Sequence, residues 1–532
     1  MEESKMYKNR WLALCLALVM ILSLCFTGCA PAEPAGTQPG ASQPAATDPV
    51  IPDATKPAAD VEGNDAIVTV AIDGEPPHLN LAQSLDFYAV WVTKNINDFL
   101  VVYDKQMEVQ NSMAKTMERV DLTTYKFEIH PGIKFHNGRE VKADDVKYSL
   151  EYVIDPANAS ASAAYMACLD YVEVTGDYTG VIHLKEPYSS FLNKLTMIPI
   201  IPKEAAADLM NTPVGCGPYK FQAWNRDQDI QLVKFDDYWK EGYPKNGGVT
   251  FKIIKEYTTI HNAFVANEID IIMWTTFQDI ATWDAMDGKY SQGNELYDSF
   301  LLCYNAEVEP FDDPLVRRAI ALAIDKQELI DLSSMGYGKV LDQPVYPGTY
   351  YWSEAASYSQ DIEEAKRLLA EAGYPNGFSC ELIVPNTVQE GACGDIIQAQ
   401  LKEIGIDCQL EKMDVGVFID SVWGSKNFEM CVTGDGSDGD PDTWLRRWIM
   451  TGADNNFGYN NPELDALVAE GANAATPEER KAAYDKAFKI ISDEQPLTYL
   501  FGGYLYSALQ DNVQGLVMYT NWWADFDGII KN

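Results

Sequence analysis

From Ile67 onward, short runs of β-branched and aromatic residues alternate with amphipathic, well-capped helical stretches, and this alternation confines the chain to an α/β architecture. Strands are expected at residues 67–72, 125–129, 181–184, 218–223, 230–235, 249–254, 301–304, 380–384, 406–410 and 428–432. The helix signals are sharper, because they are chemical. Asp313-Pro314 sets an N-cap before a proline at the first helical position, and Leu315, Ala319 and Leu322 follow at helical spacing. Thr476 and Glu479 form a capping box around Pro477 and open a helix to about Ser492, with Ala483, Ala487 and Ile490 on one face. Gly373 and Gly405 each end a helix, since glycine takes the left-handed conformation without steric cost. About 470 residues of this kind exceed what one core supports, so at least two lobes are expected.

Ahead of this part stands an export pattern. Lys5, Lys8 and Arg10 precede an apolar run over residues 11–22, extended to Phe26, and Thr27, Gly28 and Cys29 follow. The run is shorter than the roughly 20 residues of a spanning helix, so cleavage is expected. The ending resembles a bacterial lipoprotein signal, which implies a signal peptide over residues 1–28, lipidation of Cys29 and anchoring to the outer face of a bacterial membrane. Residues 29–63 read as a tether: residues 30–63 hold seven Pro and nine Ala, with Val50, Ile51 and Val61 the only large apolar side chains. As a coil it reaches about 30 Å. With Cys15 and Cys25 in the leader and Cys29 as the anchor, seven of the ten cysteines remain, at 168, 216, 303, 380, 393, 408 and 431. Lacking any C-x-x-C spacing, they are read as small buried hydrophobes with no bridge assigned.

Lys plus Arg total 40 against 79 Asp plus Glu, a formal charge of −39 that repels nucleic acid and anionic lipid surfaces. Five histidines, at 78, 130, 136, 183 and 261, never form a zinc-protease pair, and neither a nucleophile elbow nor a phosphate loop occurs. No enzyme activity and no cofactor is expected. Asp435, Asp438, Asp440 and Asp442 suggest calcium, but counting from Asp435 or Asp438 puts Asp440 or Thr443 where an EF-hand loop needs glycine. An acidic surface loop or a ligand wall remains.

Residues 125–150 combine a strand, a turn bearing His136-Asn137-Gly138 and a helix whose first turn carries Asp144 and Asp145. This segment resembles the signature of the extracellular solute-binding proteins of family 5, the peptide, nickel and oligosaccharide receptors of ABC importers. Matching stretches follow in the family's order: 213–221 with Cys216 in place of Thr, Asp237-Tyr238-Trp239, 267–270, Asn305 with 310–320 and Asp325, 365–374 and 398–407. His136 and the glycines are read as turn residues, Lys142 as a departure from a capping Thr, and Arg317 and Arg318 as partners of acids on a helix surface.

The resemblance implies a two-lobed periplasmic-binding-protein fold of type II (cluster C), with mixed sheets and hinge crossovers. The first lobe takes residues 64–105, 195–304 and 497–532, an extra subdomain 106–194, and the second lobe 305–496. It implies a monomeric receptor that closes around a solute and delivers it to a permease and its ATPase. An Asp before the loop's Asp-Pro binds a peptide amine in relatives; here Asp440-Pro441 aligns, Ser437 takes the amine-binding position, and Asp435 and Asp438 stand nearby. Further candidate ligand contacts are Asp86, Phe87, Tyr88, Trp274, Tyr304, Asn305, Trp423 and Trp444, with the pair Trp522-Trp523 beside them. A di- or oligopeptide leads, an oligosaccharide comes second and nickel third. From other classes, a secreted hydrolase predicts turnover, and a calcium-dependent adhesion module predicts that chelator lowers stability.

Overall fold

A computed structural model describes residues 63–84, 86–436, 439–452 and 455–532. The leader, Cys29, the tether up to residue 62, Ser437 and Asp438 lie outside them. In the first part of the chain the elements used below are β1 (Ile67–Ile72), α1 (Phe87–Thr93), β2 (Ala114–Asp121), β3 (Thr124–Ile129), α2 (Ala143–Ile154), β4 (Leu169–Val174), β5 (Thr179–Leu184) and α3 (Phe191–Leu195). The strands β6 (Tyr219–Asn225), β7 (Asp229–Lys234), β8 (Gly248–Ile253), β9 (Ile271–Ile272) and β10 (Lys289–Tyr304) follow. Then come α4 (Pro314–Ala323), β11 (Ser379–Pro385), α5 (Val388–Lys402), β12 (Asp407–Met413), β13 (Met430–Gly436), α6 (Pro441–Trp448), α7 (Pro477–Glu494) and β14 (Leu497–Gln510).

One mixed sheet of eleven strands runs through the folded part in the order β12-β11-β13-β10-β14-β9-β1-β8-β7-β6, with Lys339–Val340 pairing to β14 off this path. β1, β8 and β9 run parallel to one another, as do β11, β12 and β13. The first lobe is built on β1 and β6–β9. Its core is formed by Val68, Val70, Trp91, Phe251 and Leu509. A separate antiparallel sheet, β2-β3-β5-β4, packs with α2 around Tyr125, Phe127, Val146 and Ile182. The second lobe places cores on both faces of β11 and β13. β10 and β14 belong to both lobes and pair antiparallel across the junction.

Each of the ten expected strands lies on an observed one, with ends differing by a few residues, except that β10 begins at Lys289 rather than at 301. The caps behave as their chemistry requires: Asp313 accepts from Leu315 N at 2.8 Å, and Thr476 Oγ1 accepts from Glu479 N at 3.2 Å. Gly373 and Gly405 take φ of +96° and +88°. At α2 the Lys142 side chain turns to Glu140 and Tyr178, while Asp145 accepts from the Lys142 backbone at 2.9 Å, so half of a capping box survives the departure from Thr. All seven cysteines after the tether are buried free thiols.

The arginine expectation is corrected. Arg317 is 2% exposed and donates to the carbonyls of Phe311 at 2.7 Å, Gln495 at 2.9 Å and Glu494 at 3.0 Å, and Arg318 donates to the Ser492 carbonyl. The last turn of α7 leaves carbonyls without intrahelical partners, and these two guanidinium groups satisfy them from α4.

Candidate functional site at the lobe crossovers

The ladder between β10 and β14 shifts register twice, between Glu295 and Ser299 and again between Phe300 and Leu301, and the first break is the wider one. Glu295 pairs with Tyr504 and Ser299 with Gly502, so three residues, Leu296, Tyr297 and Asp298, face the single Gly503. A bulge of this kind bends the strand and re-aims side chains. It lies where both strands pass from one lobe to the other. The carboxyl ends of the parallel strands of both lobes point toward it, the position at which open α/β sheets hold ligands.

From the first lobe, the chain after β1 brings Asp73 and then α1, and the chain after β9 brings Trp274. Asp86 caps α1, accepting from Ala89 N at 2.9 Å, so its carboxylate serves the helix. Tyr88 donates to Asp73 at 2.9 Å. Burial, then the Asp73 charge, raises its phenol and keeps it protonated. Phe87, Trp274 and Trp522 form an aromatic wall, with ring centroids 5.3 Å apart for Trp274–Trp522, 5.9 Å for Phe87–Trp522 and 6.4 Å for Phe87–Trp274. Trp274 is 43% exposed, which is unusual for a residue with so much apolar surface. Trp522 sits at φ +70°, a conformation costly for a bulky side chain, and two contacts hold it there. The buried Trp91 donates to its carbonyl at 2.7 Å, and its own indole N–H donates to Asp298 Oδ1 at 2.9 Å.

From the second lobe, β13 runs toward the bulge, with Asp435 opposite Ser299 and Gly436 opposite Asp298. A Cβ on Gly436 would lie 3.0 Å from Asp298 Oδ1 and 3.9 Å from Trp522 Nε1, so the end of β13 passes directly beside the aromatic wall. Gly439, at φ +80°, lies against the Tyr297 ring, where a side chain would not fit. Of the acidic loop, Ser437 and Asp438 are outside the described residues, and Asp435 is placed by its backbone.

Asp440 and Asp442 are structural. Asp440 is 3% exposed, caps α6, and receives a two-pronged hydrogen bond from Arg480 at 2.7 and 2.9 Å. Burial pushes its carboxyl up, but the Arg480 charge and hydrogen bonds outweigh that and hold it below the usual range. Asp442 accepts from Arg446 Nε at 2.9 and 3.0 Å and from Tyr484 at 3.2 Å. Neither faces a ligand wall. Among the described residues no group of three or more metal-binding side chains assembles.

The same Asp440 joins the lobes. Ser190, the residue before α3, donates to Asp440 at 3.0 Å and accepts from Arg480 at 2.8 Å. Ser189 N donates to the Ala472 carbonyl at 2.9 Å, and Lys194 reaches Thr443. These are contacts between a segment packed into the core of the separate β2-β3-β5-β4 sheet and helices of the second lobe.

Four other expected contacts lie away from the crossover. Tyr304 is wholly buried with its hydroxyl 2.7 Å from Thr498. Asn305 donates to the Phe428 carbonyl at 3.0 Å and its own carbonyl oxygen receives Glu307 N at 3.2 Å. Trp444 stacks on Trp448 in the second-lobe core, and the half-buried Trp423 packs edge-on against Trp448. The crossover thus brings together Phe87, Tyr88, Trp274 and the β13 end carrying Asp435, and leaves Tyr304, Asn305, Trp423, Asp440 and Trp444 elsewhere. Sequence reasoning missed Asp298 and Arg480. A polar Tyr-Asp-Ser step inside a long strand was the available signal for the first, and no local signal marks the second.

Known proteins share this fold. Residues 108–457 match the family described as bacterial extracellular solute-binding proteins, family 5 Middle. The glutathione-binding protein GsiB of Pectobacterium atrosepticum is 29% identical over 444 residues, 80% of this chain and 86% of that protein. Among solved structures, the periplasmic binding protein DppA of Helicobacter pylori in complex with the peptide STSA superposes with a TM-score of 0.73 at 25% identity, covering 88% of this chain and 99% of that one. AgaA of Agrobacterium tumefaciens R10, in complex with agropinic acid, gives 0.71 at 27% identity over 85% and 94%. The chain belongs to the bacterial extracellular solute-binding proteins of family 5, the solute-capturing components of ABC importers, which are not enzymes.

Proposed function

We propose that this receptor captures a short peptide between its lobes at the β10–β14 crossovers and passes it unaltered to a membrane permease. The observation that carries the reading is the meeting of an aromatic wall, the half-buried Phe87 and Trp522 with the exposed Trp274, with Asp298 and the Asp435 end of β13. Aromatic faces hold peptide side chains, and a partly desolvated carboxylate pairs with a free amine. Relatives named for glutathione and for a peptide ligand support the same class. Native mass spectrometry of gently purified protein, followed by titration calorimetry with glutathione and a di- to tetrapeptide series, tests it. Stoichiometric binding is expected, with at least tenfold weaker binding of N-acetylated peptides and of peptides to Asp435→Ala. A panel in which no peptide binds overturns the reading.

The exposed face of Trp274 also suits sugar rings, so an oligosaccharide is the second reading, and an oligosaccharide series in the same titration decides between them. The tether and Cys29 complete the proposal: lipid on Cys29 holds a monomer at the outer face of the cell membrane. The lobes divide as residues 64–105, 195–304 and 497–532 against 305–496, with 106–194 as the annex, save that the ends of β10 and β14 next to 305 and 497 pack into the second-lobe cores.

A further inference from the structure

The edge of the large sheet carries a feature that solute capture does not use. β12 is the last strand, pairing parallel to β11 alone, and the register sets Cys380 directly opposite Cys408. Their sulfurs are 3.5 Å apart although the residues are 28 positions apart in sequence. Neighbouring strands lie about 4.8 Å apart, and a disulfide accepts Cα separations of about 4.4 to 6.8 Å. Both side chains point to the face covered by α5, among Leu382, Val384, Ile397 and Leu401, and Gln398 of that helix donates to the Cys408 carbonyl at 2.7 Å.

We propose that Cys380 and Cys408 are an oxidation site: a disulfide between them fastens the edge strand β12 to β11 across the base of α5. The oxidant is an external disulfide, as found in the oxidising spaces that extracellular proteins enter. One cysteine thiolate attacks a sulfur of that disulfide and displaces one thiolate, forming a mixed disulfide. The second cysteine thiolate attacks the protein sulfur of the mixed disulfide and releases the other half. The protein loses two S–H bonds and gains one S–S bond, and the external disulfide gains two electrons and two protons as two thiols.

The packing also says when this happens. The hydrogen bond to the neighbouring thiol, followed by burial, raises the Cys380 thiol, and α5 covers the pair, so exchange in the finished fold is slow. Oxidation therefore belongs to the period before α5 packs, when the paired strands already hold the sulfurs together. The bond closes α5 into a loop and removes freedom from the unfolded chain, so the oxidised form has the higher unfolding midpoint.

The test is made on the full chain exported into an oxidising bacterial periplasm, quenched in acid, unfolded with N-ethylmaleimide and mapped by mass spectrometry. The expected product is a linked peptide pair containing Cys380 and Cys408, two hydrogens lighter than the reduced pair, with the other five cysteines of the folded part alkylated. Reductant should lower the wild-type unfolding midpoint by several degrees and leave that of Cys408→Ala unchanged. N-ethylmaleimide on both Cys380 and Cys408 of the exported wild-type protein overturns the proposal, as does a link formed by either of them to a different cysteine. The mapping needs no variant, so a folding failure of Cys408→Ala does not affect it.

Discussion

His136 shows how a single side chain was legible. It was read as a hydrogen-bonded turn residue, and its Nε2 faces the Gly217 carbonyl at 3.0 Å while Nδ1 receives Gly215 N at 3.3 Å. One nitrogen must donate and the other accept, which only the neutral ring does. Burial lowers its pKa to about 4 from an ordinary 6.5. The folded protein then binds fewer protons than the unfolded chain between those values. The contribution to stability is full above about pH 6.5 and is lost as pH falls toward 4, by about 3 kcal/mol. Denaturant unfolding of wild type and His136→Gln from pH 4 to 8 checks this: the difference between them should shrink as the pH drops. Trp274 carries a different expectation. Its ring touches Phe87 and Trp522 along one side and leaves the rest to solvent, so Trp274→Ala should weaken ligand binding about tenfold, roughly 1.4 kcal/mol, and shift the unfolding midpoint only slightly. Asp440 was less legible, because nothing adjacent in sequence announces Arg480.

Elements divide by the same rule. α4 and α7 were readable because caps are local chemistry, whereas β14 was not, since it is buried on both faces nearly throughout and shows no polar alternation. β2 was missed for the opposite reason, being largely exposed. The pair joining α6 and α7 gives the sharpest energetic test. Arg480→Ala leaves Asp440 buried without its cation and should destabilise by about 3 to 5 kcal/mol, while replacing both by apolar residues of similar volume should recover much of that loss. Thr476→Ala at the start of α7 removes only a cap and should cost about 1 kcal/mol. Urea unfolding of the three variants separates the effects.

At the scale of the molecule, the family resemblance reached the two-lobed plan, while the contact that joins the lobes away from the strands was invisible, since Ser190 and Arg480 are far apart in sequence. Ser190 is wholly buried between them. Ser190→Trp should wedge the lobes apart, raise the radius of gyration measured by solution scattering and weaken ligand binding, with the far-ultraviolet circular dichroism unchanged. A wild-type-like scattering profile for this variant would show that the junction yields elsewhere. Cys29→Ala should move the protein from the membrane fraction to the medium of cells that express it.

The ladder that resumes on either side of Leu296, Tyr297 and Asp298 has a mechanical consequence. A door hung on a short hinge can swing but cannot slide, and two strands that stay bonded above and below one short irregular stretch restrict the halves in the same way. Cargo of increasing length should therefore be taken up at the rim of the lobes, far from the hinge, rather than beside Trp522.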